Sequence, residues 1–351
     1  MTALLAMLGM LVWIAAGPAF APVAHAEPVT AEGGDCDVPP PPPAAAAGYT
    51  RLLFCDGFDD PATIDLEAAG CPPAGPCSDR EGAGFRWFRA GKPFDYPETP
   101  REGISVRNGV LTLDNSSGAN LAILTTYARE SGGFGGFSVK NRGAYFEAAV
   151  AFEVPQQSWI DENSPWYAPW RRDAALWRPG WPAFWSMDAC HLYGRCSPYM
   201  ELDFFEYLSY PSAGLASYTG ALHRWVDLSL LGKPCARGDD ASSGPSCHQK
   251  EQSNHFSFWE TGYLGERGIR RNTLIKVPDG TDWAGRFNAV GMLLKRGEGL
   301  DFYFNDQVYT RNGYAEYPWL AIADKGDFPL ILGSKDWPMR VDWVRVWGKP
   351  E

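Results

Sequence analysis

The sequence predicts an all-β protein, two antiparallel sheets packed face to face. Three observations carry this. Apolar and polar residues alternate at period two in many short runs. Asn108-Gly109 and Asn305-Asp306 sit between such runs as hairpin turns. No amphipathic helix of about 12 residues, no strand–helix alternation and no fixed repeat interrupts the pattern. The composition agrees: among 351 residues, 38 are Gly and 29 are Pro, and aromatic residues make up 14%. So apolar a chain is not disordered. Its formal net charge of −11 lacks the basic footprint of a nucleic-acid binder.

Residues 1–26 contain no Lys, Arg, Asp or Glu, and their apolar run ends at Ala24-His25-Ala26. They read as a secretory signal peptide cleaved after Ala26. An uncleaved anchor is the alternative, disfavoured by Pro18 and Pro22. No later run is long and apolar enough to span a membrane. Residues 27–48 carry the five-proline run Pro39 to Pro43 followed by alanines, and read as a semi-rigid spacer outside any core. Residues 49–351 are left for one large sandwich. All eight Cys follow the cleavage site, so the mature chain is expected to be secreted or periplasmic and disulfide-bonded. Proximity favours Cys71–Cys77, Cys190–Cys196 and Cys235–Cys247, leaving Cys36 with Cys55.

The strands follow in order. ISVRNGVLTLD reads as a hairpin turning at Asn108-Gly109, and residues 121–127 as a further strand. In the next, Ala144, Phe146, Ala148, Val150 and Phe152 face one way and Glu147 the other. Strands are then expected at 181–187, 199–208, 217–226 and 287–294. The hairpin LDFYFNDQVYTR follows, then strands at 328–332 and 340–347. Residues 61–83, 155–180 and 232–253 read as long loops rich in Pro, Gly, Trp and charge, where binding sites are commonly built.

The run YMELDFFEYLSY is the most specific feature. Glu201, Asp203 and Glu206 interrupt a strand apolar enough to be buried, and burying neighbouring carboxylates is costly. Glu201 and Asp203 share a face, whereas Glu206 has the wrong parity. A β-bulge at Phe204-Phe205 would return Glu206 to that face. The carboxylates of Glu201 and Glu206 could then approach to about 5–5.5 Å, the separation of a retaining glycoside hydrolase. One Glu must be ionised to attack, and the other must hold a proton for the leaving oxygen. Asp203 would tune the pair.

Glu201-Leu-Asp203-Phe-Phe-Glu206 resembles the bulged E-x-D-x-x-E signature of glycoside hydrolase family 16, in its laminarinase-like and agarase-like branches. GWPAFWSM, FCDGFDD, NGVLTL, RGAYFEA, YTGALHRW and VDWVRVW resemble further segments of the family, in the family's order, across residues 52–347. The resemblance implies a concanavalin A-like β-jelly roll with a substrate cleft. It implies Glu201 as nucleophile, Asp203 as assisting acid and Glu206 as general acid/base. Trp181, Trp185, Trp177, Trp225 and His223 would border the sugar. Trp159, Trp166 and Trp170 are further wall candidates, and His191 a rim candidate. Arg171, Arg172, Arg178 and Arg195 could meet an acidic sugar. Catalysis would need no cofactor. A structural Ca²⁺ would be held by Asp342 and the carbonyl of Gly109, although Gly57 stands where the family often has Glu. The expected partner is a polysaccharide and the chain a monomer. The expected reaction is retaining endo-hydrolysis of a β-1,3-glucan of the laminarin type. The alternatives are a β-galactan of the agarase, porphyranase or carrageenase kind, or a non-catalytic glucan-binding protein. Leu294, where the family commonly has Trp, and the long 155–180 insertion leave the sugar open.

Overall fold

The computed structural model describes residues 36–69, 86–89, 101–114, 122–126, 137–140, 142–152, 181–192, 196–210, 215–234, 247–259, 274–276, 282–334 and 338–351. The proposed signal peptide, Cys71–Cys77, Trp177, Trp159, Trp166, Trp170 and the four loop arginines lie outside them, as does the side chain of His191.

Two stacked sheets form the molecule, as the alternation predicts. The first contains β1 (Arg51–Asp56), β4 (Ile104–Arg107), β5 (Val110–Leu113) and β8 (Ala144–Phe152). It continues with β14 (Asn288–Lys295), β15 (Gly299–Phe304), β16 (Gln307–Gly313) and β19 (Met339–Gly348). Its order is β16-β15-β14-β8-β19-β5-β4, with β1 also paired to β19. The second contains β2 (Ile64–Ala69), β3 (Trp87–Arg89), β6 (Ala122–Thr125), β9 (Ala183–Met187) and β10 (Tyr199–Tyr210). It is completed by β11 (Leu215–Asp227), β12 (His248–Trp259), β13 (Leu274–Lys276) and β18 (Ile331–Ser334). Its order is β13-β12-β11-β10-β9-β18-β6-β3-β2. A small ladder joins β7 (Phe137–Ser138) to β17 (Asp327–Phe328). Pairing is antiparallel except at β2–β3 and β12–β13. The chain passes between the sheets repeatedly, as expected of a jelly roll.

Both predicted hairpin turns are present. Asn108 and Gly109 have φ of 52° and 73°, and Asn305 and Asp306 have 43° and 63°. Two consecutive positive φ values match the right-handed twist of the flanking strands. Between the sheets, Phe146, Ala148, Val150 and Phe152 of β8 meet Phe184, Leu202, Phe204, Phe205 and Leu222 of the second sheet in one core. Apart from Phe205, which an irregularity in β10 turns inward, these are the alternate residues that period two assigns inward.

Three segments differ from expectation. The proline-rich stretch is not a spacer from Cys36 onward: Pro42–Ala46 forms a short helix with Pro43 and Ala44 buried. Proline suits a first helical turn, whose N–H groups lack intrahelical partners, and alanine has the highest helix propensity. The helix lies on the outer face of the first sheet, where Ala44 and Tyr49 cluster with Tyr145, Leu293, Tyr303 and Trp347. Tyr49 Oη donates to the carbonyls of Arg142 (2.9 Å) and Leu294 (3.1 Å), and Cys36 is bonded to Cys55. The expected loops 232–253 and 61–83 contain strand: β12 begins at His248, and β2 follows a 3₁₀ turn at Pro61–Thr63. The polar start of β12 shows no alternation, and its pairing with β11 overrides local propensity. The single strand expected at 328–332 is two, β17 and β18, separated by Pro329, which cannot donate to a ladder.

Cys190–Cys196 also forms. Cys247 is disulfide-bonded to a partner outside the described residues. Asp188 lies beside Cys190 and Cys196, but that disulfide removes both sulfurs as metal ligands. No helix among the described residues is long and apolar enough to cross a membrane.

Candidate active site

The site is built by an irregularity in β10. Against β11 the register runs Asp203↔Ala221 and then Glu206↔Thr219. Against β9 it runs Asp203↔Trp185 and then Phe205↔Phe184. The extra residue lies at Phe204-Phe205, where the sequence places a bulge. Both rings are fully buried and point into the core. Phe204 stacks on Phe146 (centroids 4.9 Å, 11°) and meets Phe184 edge-on (4.8 Å). Phe205 packs on Phe152 and Trp283, each at 5.8 Å. Two consecutive aromatic side chains occupying one core is what a bulge permits and a regular strand forbids. The consequence is that Glu201, Asp203 and Glu206 all face away from the core.

Each acid has its own polar partner. Trp225 Nε1 donates to Glu201 Oε2 at 2.5 Å, and Trp181 Nε1 donates to Glu206 Oε1 at 2.8 Å. Asp203 Oδ2 lies 3.1 Å from His223 Nε2. Asp203, Glu206 and His223 are 2%, 6% and 3% exposed, and Glu201 is half-buried.

Burial governs the electrostatics. The Glu206 carboxyl is held well above the usual range, first by burial and then by the negative charges of Asp203 and Glu201. Its bond from Trp181 and the positive charge of Lys250 oppose that rise. Asp203 is raised well above its usual value too, by burial first and Glu201 second. His223 is pushed down to about 4, chiefly by burial. Burial thus disfavours the charged imidazole, whose Nε2 stays within hydrogen-bond reach of Asp203. Such an arrangement can supply a carboxyl that holds its proton above the usual carboxylate range beside a second, less buried one.

The remaining predicted residues divide. Trp181, Trp225 and His223 touch the acids. Trp185 opposes Asp203 in register and so shares its face, but is only 4% exposed. Tyr199 and Lys250 are additions. The Tyr199 ring lies parallel to that of Trp225 (centroids 6.5 Å, 4°), and its hydroxyl lies 3.2 Å from His248 Nδ1. Lys250 Nζ lies 4.7 Å over the Trp225 ring. Parity with Glu201 could have identified Tyr199. Lys250 could not be found, because its position depends on pairing between β11 and β12.

On the other sheet, β19 bulges between Val341 and Val344, and Asp342 in that bulge is 1% exposed. Its neighbours in register lead to Leu111 of β5 and Asp56 of β1. The Gly109 turn precedes β5, and a Cβ on Gly109 would stand 3.1 Å from Asp59 Oδ1 and 3.6 Å from the Gly57 carbonyl. These are hard oxygen donors of the kind calcium requires.

No family model and no curated protein matches the chain. Solved structures similar to it include the laminarinase catalytic domain from Thermotoga maritima, 15% identical with a TM-score of 0.45, over 86% of this chain and 99% of that one. The endo-β-1,3-glucanase from Pyrococcus furiosus is 15% identical with a TM-score of 0.46, over 86% and 95%. Porphyranase B from Zobellia galactanivorans is 12% identical with a TM-score of 0.43, over 85% and 92%.

Proposed function

We propose that this chain is a retaining endo-glycosidase of the glycoside hydrolase family 16 type, acting on a β-linked polysaccharide. The observation that carries the reading is the bulge that turns three carboxyls to one face, with Glu201 and Glu206 each held by an indole N–H. Glu201 attacks the anomeric carbon while Glu206 gives its proton to the glycosidic oxygen, and the carbon–oxygen bond breaks. The sugar is left as an ester on Glu201. Water then attacks the same carbon, Glu206 takes the water's proton, and the ester bond breaks to restore Glu201. Asp203, between them and bonded to His223, adjusts the protonation of the pair.

Export belongs to the same reading, supported by two disulfides and the bonded Cys247. So does a structural calcium at Asp342 and the Gly109 carbonyl, beside Asp59 and Gly57. It would take no part in the chemistry. A chelator that lowers the melting temperature supports this assignment, and unchanged melting removes it.

The proposed β-1,3-glucan and β-galactan substrates are separated by one assay. The purified protein is incubated with laminarin, lichenan, agarose, porphyran and carrageenan beside a Glu201→Gln control. New reducing ends from one class, absent in the control, are expected. Binding without turnover by the unaltered protein would end the enzymatic reading.

A further inference from the structure

Among the described residues, Lys250 is a cation of this face that the reaction does not use. It pairs with Trp225 in the β11–β12 register and so shares the face of Trp225 and His223. Its ammonium lies 4.7 Å over an indole that is itself held by Glu201 and lies parallel to Tyr199. A cation over an aromatic face is held in place while its outward N–H groups stay available. The side chain is exposed. Among the described residues no carboxylate lies within ion-pair distance of it, and the adjacent Glu251 is taken by Arg224 at 2.7 Å. Its charge reaches Asp203, Glu206 and His223, so it stands within the field of the acids. In a chain of net charge −11, a placed cation with no ion pair among the described residues, beside three acids, is a local exception.

We propose that Lys250 determines specificity by holding an anionic substituent, a carboxylate or a sulfate ester, on the sugar bound beside Glu201. The inference rests on the glycosidase reading and narrows it from neutral β-glycans to charged ones. Lysine offers donors and no acceptor, so a negatively charged oxygen is its strongest complement. Lys250 lies over one face of Trp225, whose N–H positions Glu201.

The test is direct binding by calorimetry, which needs no turnover. The probes are neutral laminari- and agaro-oligosaccharides, a sulfated porphyran oligosaccharide and a uronate-bearing β-glycan oligosaccharide. The proteins are the intact chain, Lys250→Met and Lys250→Arg. A charged probe should bind the intact chain more tightly than neutral ones and lose affinity as salt rises. Lys250→Met should weaken that probe by about tenfold to a hundredfold. It should leave neutral probes within about twofold, and Lys250→Arg should retain most of the affinity. The arm that responds, sulfate or carboxylate, names the substituent. Equal effects on charged and neutral probes, or no preference for charge in the intact chain, would overturn the proposal. Hydrolysis of the same probes is scored separately. Binding through Lys250 without hydrolysis would defeat the glycosidase reading alone, and hydrolysis indifferent to Lys250 would defeat this inference alone.

Discussion

Glu206 illustrates how one residue's surroundings give it both a role and a cost. Burial and two neighbouring acids hold its carboxyl well above the usual range, so the folded protein binds that proton more tightly than the unfolded chain does. A raised carboxyl stabilises the fold relative to its charged form only while protonated. Stability is therefore lost as pH rises from the ordinary carboxylate range through the folded value. Glu206→Gln keeps an acceptor for Trp181 and removes the titration. The variant should melt higher than the unaltered protein at neutral pH, yet lose roughly 10²–10⁴ in kcat. Calorimetry and initial rates on one preparation check both. A variant that melts lower and keeps its activity would remove Glu206 from the acid/base role.

At the scale of the strand, the bulge in β10 decides which side of the sheet the chemistry is on. Deleting Phe205 removes the extra residue and leaves Glu206 two positions after Asp203, on the same face by strict alternation, so turnover should survive without the bulge. Phe205→Ala keeps the residue count and hence the face of Glu206. It should cost about 3–5 kcal/mol of stability while leaving measurable turnover. Denaturant unfolding and rates on both variants check this, and loss of turnover in a folded variant of either kind would contradict the parity argument. This strand was legible from the sequence because its acids conflict with the hydrophobic pattern around them, and one inserted residue removes the conflict. β12 was not legible. Its first residues, His248 to Gln252, are polar on both faces, and only the ladder to β11 makes them a strand. The uses of Trp181 and Trp225 were half legible: their nearness to the acids followed from motif order, but the donation of each N–H to a particular Glu depends on packing.

Across the whole molecule, the side away from the acids carries its own buried charge. Glu147 of β8 is 1% exposed, accepts from Trp347 Nε1 at 2.8 Å and lies 3.8 Å from Arg345. Burial, the largest influence, lifts its carboxyl to about 7. Its stabilising contribution is complete below about 4.5 and is lost as pH rises through about 7. Glu147→Gln should flatten that decline and gain about 3 kcal/mol above neutrality relative to the unaltered chain. Denaturant melts at several pH values read the slope, and an unchanged slope would refute it. The N-terminal helix covers part of the same face through Ala44 and Tyr49, with the Cys36–Cys55 bond holding it. A proline run reads as a spacer because composition alone reports stiffness. Only the tyrosines and Trp347 gathered by distant strands show where it docks.

The central claim is that Glu201 and Glu206 work as nucleophile and acid/base on one face of a bulged strand. The most direct test follows the first-formed anomer by proton NMR during hydrolysis of a β-linked oligosaccharide. The account predicts that the β anomer appears first and mutarotates afterwards, as two successive displacements require. Initial release of the α anomer would contradict it.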